Sequence, residues 1–277
     1  MNFDSQNNAG FANSADNSAE AANGAKAGRP EPTSSVQRAC SILRVMSDSR
    51  NSRLTDIAHA AELDKATTLR LLEVLTRNGL VQRNPVNKQY SLGPEVFVLG
   101  AAAAARQDLR PVARPSLIRL ADEFEDSTML SLPRGAESVC VDIQTGSYAI
   151  RAQYLEAGSR RPLGVGAGSL ALLAWLPDEE IKALLPLIVQ RLAPYPRVNE
   201  KVIVRLIEQA RKQGFSTVFD ILIDRMGGIG VPILGPDRRP LGALSIAALT
   251  DRIRSREQVM AEALYREANH CQAAWRH

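Results

Sequence analysis

The chain has 277 residues, of which 45% are hydrophobic, 5% aromatic and 23% charged, and its net charge at pH 7 is +4. This composition is typical of a soluble chain able to bury a sizeable core, and the length favours two modest domains. No apolar stretch approaches the roughly 18 residues that cross a bilayer, and no basic segment followed by an apolar one opens the chain. We therefore expect no membrane partner and a cytoplasmic location.

Residues that bind metals or form disulfides are few and scattered. The cysteines and histidines, none of them in a CxxC pair, are Cys40, Cys140, Cys271, His59, His270 and His277. This spacing indicates neither a disulfide framework nor a zinc module, and it disfavours a histidine-based catalytic or metal site. We expect no metal and no cofactor.

The charge is unevenly distributed. Residues 1–33 are rich in Asn, Ala, Ser and Gly and carry two basic and four acidic side chains, a net charge of −2. Such a segment cannot bury enough apolar surface to offset its ordering entropy, so we predict a disordered tail. Residues 34–93 carry nine Lys or Arg against five Asp or Glu, a net charge of +4, and residues 94–277 have 23 against 21. The basic excess is therefore densest in the 60-residue module that follows the tail.

That module has the element order of a winged helix-turn-helix. The first helix, with Ser35 as its expected N-cap, has apolar residues at helical spacing: Val36, Ala39, Cys40, Leu43 and Met46. A short helix over 54–61 and a tight turn come next, followed by an amphipathic helix that begins at Asp64 and ends at Asn78-Gly79. Two short strands, 80–83 and 88–92, complete the module as a hairpin.

In this geometry the second helix of the pair enters the major groove, and the wing contacts the phosphate backbone. The candidate DNA-binding residues at the helix start and on the wing are Lys65, Ala66, Thr67, Arg70, Arg83 and Lys88. The alternative is a small helical domain that binds another protein. The order of five elements, with cations at the expected ends, favours double-stranded DNA as the partner.

Residues 94–126 predict a helical linker with breaks near Arg110-Pro111 and Arg114-Pro115, because proline disfavours helix in the preceding residue. Its small side chains would let it pack against a second copy and place two DNA-reading heads one groove repeat apart. A helix buried within its own chain explains the pattern equally well.

Residues 127–277 predict an α+β domain, in which groups of strands alternate with helices. The expected strands are 128–132, 138–143, 149–155, 215–219, 229–234 and 241–248. The expected helices are 169–175, one opened by residues 177–180, 202–213 and 255–275.

The segment 162–174 is the most suggestive of chemistry, since its glycines run directly into a helix. Free amides at a helix start bind carboxylate or phosphate. The segment is neither a dinucleotide fingerprint nor a P-loop. Tight loop-to-helix packing is the alternative explanation. Asp220 lies in an apolar stretch, either on an exposed turn or in a pocket that accepts a ligand hydroxyl.

Together these segments resemble the IclR-type family of bacterial transcription regulators, from about Ser34 to near the C-terminus. The segments that carry the resemblance include Val36-Gln37-Arg38-Ala39, Asn78-Gly79-Leu80-Val81, Tyr90-Ser91-Leu92-Gly93, Gly166-Ala167-Gly168 and Ile229-Gly230-Val231-Pro232. The resemblance implies a winged helix-turn-helix, a linker helix and a GAF-like effector domain. It also implies dimers or tetramers on palindromic operators and a small organic acid as the signal.

Carried over by position, the resemblance implies that the effector site includes Gly166, Ala167, Asp220, Gly230 and Ser245. The chain departs from the family where Lys is usual at Ser169, a second Ser at Ala247, a Ser at Ala66 and an aromatic residue or His at Leu69. Loss of a hydroxyl at Ala247 suggests an aromatic or otherwise bulkier acid as effector.

The sequence also leaves two other functions open. An enzyme acting at residues 164–168 would need a nucleophile and a base, and neither is evident. A scaffold that uses the C-terminal domain only for association is the second alternative. We predict a ligand-responsive DNA-binding regulator that is not an enzyme.

Overall fold

The computed structural model describes residues 34–47, 51–150 and 156–275, apart from the side chains of 103–107. The predicted tail, 1–33, lies outside the described residues. So do residues 151–155 of the strand predicted over 149–155, while residues 149 and 150 do not belong to a strand.

The N-terminal module has the predicted element order. It comprises α1 (Ser35–Val45), α2 (Leu54–Ala60), α3 (Lys65–Arg77), β1 (Val81–Arg83) and β2 (Tyr90–Leu92). The two strands pair antiparallel, with Val81 opposite Leu92. Ile42, Ile57 and Leu72, one from each helix, are fully buried in a shared core. The module is therefore a three-helix unit closed by a hairpin.

The predicted inward face of α1 is partly wrong. Val36 is 70% exposed and Cys40 is exposed, whereas Ile42 and Met46 are buried. The N-cap is Ser34 rather than Ser35, and its hydroxyl accepts a hydrogen bond from the Gln37 amide in a capping box. The capped first turn of α1 extends beyond the core, to which the residues of its last two turns contribute.

Two helices connect the module to the rest of the chain: α4 (Pro94–Gln107) and α5 (Arg110–Phe124). The predicted break near Arg110 is present, because residues 108 and 109 are not helical. The predicted break at Pro115 is wrong, since α5 continues through it. Proline costs one helical hydrogen bond, and burial of Ala113, Leu117 and Leu120 against the sheet offsets that loss.

The C-terminal part is an α+β domain, as predicted. Its strands are β3 (Ser127–Arg134), β4 (Glu137–Gln144), β5 (Arg160–Pro162), β6 (Ser216–Phe219), β7 (Met226–Leu234) and β8 (Pro240–Leu249). Its helices are α6 (Ala167–Ala174), α7 (Asp178–Val189), α8 (Glu200–Gln213), α9 (Thr250–Arg254) and α10 (Glu257–Trp275). The sequence prediction missed β5 and α9, both of which are short.

The strands form one antiparallel sheet of order β5-β4-β3-β8-β7-β6. Alternate residues of β7 face opposite sides of this sheet. Ile229, Val231 and Ile233 join α5 and α10 in one core, while Gly228 and Gly230 lie against the start of α6. Helices α6, α7 and α8 form the second core. The sheet is thus covered on both faces.

Within the described ranges, no helix combines the length and the apolar character needed to cross a bilayer.

Candidate functional site

The start of α3 presents most of the predicted DNA-binding residues. Asp64 caps the helix, because its carboxylate accepts a hydrogen bond from the Thr67 amide over 2.8 Å. Hydrogen bonds from the amide and hydroxyl of Thr67 lower the pKa of Asp64 below its ordinary value. Lys65, Ala66 and Arg70 are exposed, and Thr67 is half-buried. The helix start is therefore firmly ordered, with its cations in solvent.

The hairpin places the two wing cations differently. Lys88 lies at the turn in a left-handed conformation, with φ at 61°, and its Nζ donates to the Pro85 carbonyl oxygen over 2.7 Å. The guanidinium of Arg83 lies 5.3 Å from the centre of the Tyr90 ring. Val86 is 87% exposed at the tip of the turn. The wing thus projects an apolar tip with a cation beside it.

A groove of about 430 Å³ runs between α3 and the wing, and its lining includes Leu69, Glu73, Arg77 and Arg83. Arg83 therefore lies beside α3, close to the second cation, Arg77. Sequence reasoning did not include Arg77 among the DNA-binding residues. Its position at the end of the predicted helix, just before the hairpin, could have indicated it.

A second cavity, of about 40 Å³, lies in the C-terminal domain between the start of α6 and strands β3, β4 and β8. Of the predicted effector residues, Gly166, Ala167 and Ser245 line it. Ser159, Arg161 and Gly166 are half-buried, and the remaining lining residues are buried. The cavity therefore meets solvent on the side of these three residues.

Two serines form the inner wall. Ser131 on β3 and Ser245 on β8 are 7% and 6% exposed. A Cβ atom added to Gly168 would lie 2.9 Å from the Ser245 Oγ and 3.3 Å from the Ser131 Oγ. Gly168 thus leaves the space between α6 and both hydroxyls open. The hydroxyl of the neighbouring Ser169 already has a hydrogen-bond acceptor, the Pro162 carbonyl oxygen, at 2.9 Å.

The cavity is electropositive. Arg161 contributes a guanidinium, and the first amides of α6 have no partner within their helix. The described lining contains no carboxylate. Burial raises the pKa of the Cys140 thiol to about 12 despite the nearby Arg161 charge, so this lining thiol is neutral and inert at pH 7. The lining therefore suits an anion.

The remaining predicted effector residues do not line this cavity. A Cβ atom added to Gly230 would lie 3.1 Å from the carbonyl carbon and oxygen of Ala167, so α6 packs directly against β7 there. The Ser216 hydroxyl lies 2.7 Å from the Ala167 carbonyl oxygen and 2.9 Å from that of Gly230, which holds the two elements together. Tight helix packing explains Gly230.

Asp220 is held by its own loop and by the first residue of α9. Its carboxylate accepts hydrogen bonds from the Arg225 amide over 2.8 Å and from the Thr250 hydroxyl over 3.0 Å. Its backbone is left-handed, with φ at 58°. The structure thus brings together three of the five predicted effector residues. It adds Ser131 and Arg161, which sequence reasoning did not single out, and Gly168, which belongs to the predicted glycine-rich segment but was not among the predicted effector residues. In the described part of the chain, no cluster of side chains could hold a metal ion.

Comparison with known families decides what these two sites belong to. Residues 35–85 match the IclR helix-turn-helix domain, and residues 101–272 match the model for the C-terminal part of bacterial transcriptional regulator IclR. The chain belongs to the IclR family. It is a transcription regulator with an N-terminal DNA-binding domain and a C-terminal effector domain, and the similar curated proteins bear the names of regulators rather than enzymes.

Among its relatives is the HTH-type transcriptional regulator XynR of Escherichia coli, 28% identical over 79% of this chain and 87% of that protein. Among solved structures, an IclR regulator from Alicyclobacillus acidocaldarius is 24% identical, with a TM-score of 0.72 over 87% of this chain and 98% of that one. An IclR homologue from Microbacterium hydrocarbonoxydans, crystallised with 4-hydroxybenzoate, is 22% identical, with a TM-score of 0.71 over 88% and 99%. These structures share the fold of this IclR-family chain.

Proposed function

We propose that this regulator binds double-stranded operator DNA through the start of α3 and the wing, and that a small organic acid in the cavity beside α6 changes its DNA affinity. The lining of the cavity is the observation that supports the effector site. It contains one guanidinium, the first amides of α6 and two serine hydroxyls, and none of the lining residues that the structure describes is a carboxylate. The bound 4-hydroxybenzoate of the Microbacterium homologue supports an acid as the class of ligand.

The size of the cavity bears on which acid it takes. A water molecule needs roughly 10 to 15 Å³ on the same measure, so 40 Å³ admits about three water-sized groups. A carboxylate with a short chain fits this space. An aromatic acid, which the loss of a hydroxyl at Ala247 suggested, would require α6 or β4 to move outward.

DNA binding is tested by fluorescence anisotropy with the DNA upstream of the regulator's own gene, between about 50 and 200 mM salt. We expect saturable, salt-sensitive binding. Arg70→Ala should reduce the slope of log affinity against log salt by about one, because one phosphate contact is lost. Lys182→Ala is the control, since Lys182 pairs with Glu179 on α7. Salt-independent binding, or the same slope for Arg70→Ala as for wild type, would contradict the proposed interface.

The acid response is tested by titrating short aliphatic acids and hydroxybenzoates into the protein–DNA complex. Gly168→Ala should abolish the response, because its methyl group would lie against the Ser245 hydroxyl. Ser255→Ala is the control, because it removes an exposed hydroxyl bonded to the Arg252 carbonyl oxygen, away from the cavity lining and from α4. The acid should be recovered unchanged, whereas conversion would indicate an enzyme. If no acid shifts the DNA affinity of the wild type, the proposal fails.

We also propose that α4 joins two copies of the chain, giving a homodimer or homotetramer. Phe97 is 80% exposed, Leu99 is 56% exposed and Val98 is 54% exposed. Three successive large apolar side chains in water are unusual on a monomer, and the helix lies between the DNA-binding module and the effector domain.

A further inference from the structure

The hydroxyl groups of α3 are already bonded at the helix itself. The Thr68 hydroxyl donates to the Asp64 carbonyl oxygen over 2.8 Å, and the Thr76 hydroxyl donates to the Leu72 carbonyl oxygen over 2.7 Å. The Thr67 hydroxyl bonds to the Asp64 carboxylate and helps to lower its pKa. These three are all the hydroxyls in the sequence of α3, which includes no Ser, Asn or Gln. The uncharged polar side chains of the helix are therefore engaged before any base approaches.

The start of α3 instead exposes apolar surface between two cations. Ala66 is exposed in the first turn, and Leu69 lies beside it on the same helix face, three residues further on. Leu69 is half-buried and lines the groove next to the wing rather than the core of the module. Lys65 and Arg70, both exposed, lie on the two sides of this pair. The methyl groups of Ala66 and Leu69 thus form one small patch, which we call the methyl patch.

The four bases differ in what they offer to such a patch. In the major groove, thymine presents an apolar group, its C5 methyl, whereas adenine, guanine and cytosine present hydrogen-bond donors and acceptors in its place. A methyl patch pressed against those polar groups would displace their water without replacing its hydrogen bonds. The first residues of the second helix in a helix-turn-helix contact base edges. The chemistry of the methyl patch therefore matches thymine.

We propose, resting on the role in DNA binding proposed above for α3, that Ala66 and Leu69 select thymine in the operator by contact with its C5 methyl group. Lys65 and Arg70 contact the phosphates on either side and fix the position of the helix. The methyl contact involves no charge, so it contributes to sequence preference and not to the salt dependence of binding. Each operator half-site accordingly carries thymine where the first turn of α3 meets the base pairs.

Uracil tests this contact directly, because it differs from thymine only in lacking the C5 methyl group. The probe is the DNA upstream of the regulator's own gene, prepared once with thymine and once with uracil, and binding to the full chain is followed by fluorescence anisotropy. The wild type should bind the uracil DNA about 3- to 5-fold more weakly for each thymine contacted, as expected for one buried methyl group. The slope of log affinity against log salt should be the same for both DNAs, because the phosphate contacts are kept.

Two substitutions assign the effect to the methyl patch. Ala66→Gly and Leu69→Ala should each lower the preference for thymine DNA by about half or more, because each removes part of the apolar contact. Leu69→Ala introduces a strong helix former outside the core, so it remains informative if Ala66→Gly fails to fold. Val74→Ala is the matched control, since it shortens an exposed apolar side chain in the third turn of the same helix, and it should keep the wild-type preference.

The outcomes separate this inference from the proposed function. Equal binding of thymine and uracil DNA by the wild type would overturn the inference and leave salt-sensitive DNA binding through α3 standing. An unchanged preference in both Ala66→Gly and Leu69→Ala would do the same. If the wild type binds neither DNA saturably, the proposed DNA-binding function fails, and the inference fails with it.

Discussion

Arg114 on α5 donates a hydrogen bond from Nη1 to the Asp142 Oδ1 on β4 over 3.0 Å. The same guanidinium donates to the Ile143 carbonyl oxygen over 3.0 Å and to the Gln144 side-chain oxygen over 2.7 Å. One side chain of the linker helix thus holds the end of the strand whose Cys140 lines the effector cavity. A shift of β4 on ligand binding would be transmitted to α5 by these three bonds.

Arg114→Met should therefore uncouple the two sites. We expect the acid to bind with unchanged affinity while its effect on DNA affinity falls to less than about a third, because substitutions along a coupling element change the coupling free energy by about 0.5 to 2 kcal/mol. The measurement is the acid titration of the protein–DNA complex, with acid binding followed separately by calorimetry.

Arg110→Met is the control for this variant. The hydrogen bonds of Arg110 go to Asp108, two residues away in the chain, and only its charge acts on Asp142. Arg110→Met therefore removes a charge near β4 without removing a hydrogen bond to that strand. Full retention of the acid response in Arg114→Met would refute the coupling role of this side chain.

Ser216 joins the start of α6 to the sheet, and Ser216→Ala should loosen that contact. The loss of a buried hydrogen bond costs about 1 to 2 kcal/mol in the free energy of unfolding. Urea denaturation measures this loss. Ser255→Ala, which removes an exposed hydroxyl bonded to the Arg252 carbonyl, should cost less than about 0.5 kcal/mol. Equal stability of the two variants would show that Ser216 does not fasten α6.

Local signals predict some of the helix ends. Asp64 caps α3, and Gly214 ends α8 in the left-handed conformation that glycine adopts without strain. The inward face of α1 is less predictable, because helical spacing does not reveal how far the helix extends past its partners.

The cavity could be predicted only in part. Ser131, Arg161 and Ser245 are far apart in the sequence and meet because β3 pairs with both β4 and β8, and β4 pairs with β5. No local pattern encodes that strand order. The position of the glycines directly before α6 is enough to indicate an anion site. Arg161, by contrast, cannot be distinguished from Arg160 until the register of β5 against β4 is known.

Glu267 on α10 predicts a pH dependence of stability. Its side chain is 2% exposed, and Arg119 donates to it from Nε over 3.1 Å. Burial alone raises the pKa of Glu267, but hydrogen bonds from Arg119, Ser116 and His270 outweigh this effect and lower the pKa from 4.5 to about 2. A carboxylate whose pKa is depressed in the folded state contributes stability above its unfolded pKa and loses that contribution as the pH falls towards 2.

Glu267→Gln should accordingly cost on the order of 3 kcal/mol in the free energy of unfolding at pH 7. The difference between variant and wild type should shrink as the pH falls from about 5 to 2. Glu262→Gln, an exposed position on the same helix, is the control and should differ little from wild type at any pH. A difference that is constant with pH would show that the loss comes from packing and not from the charge.

The exposed face of α4 gives the last prediction. If Phe97 and Leu99 lie in a contact between two copies, that contact buries them, and each buried large apolar side chain contributes about 1.5 to 3 kcal/mol. Phe97→Ser should then raise the dimer dissociation constant by about tenfold or more, measured by sedimentation velocity over a concentration series. DNA affinity should fall in parallel, because a monomer contacts only one half of a palindromic operator. Val259→Ser, which removes a 56% exposed apolar side chain from α10, controls for the loss of surface hydrophobicity. An unchanged dissociation constant in Phe97→Ser would place the contact between copies elsewhere on the chain.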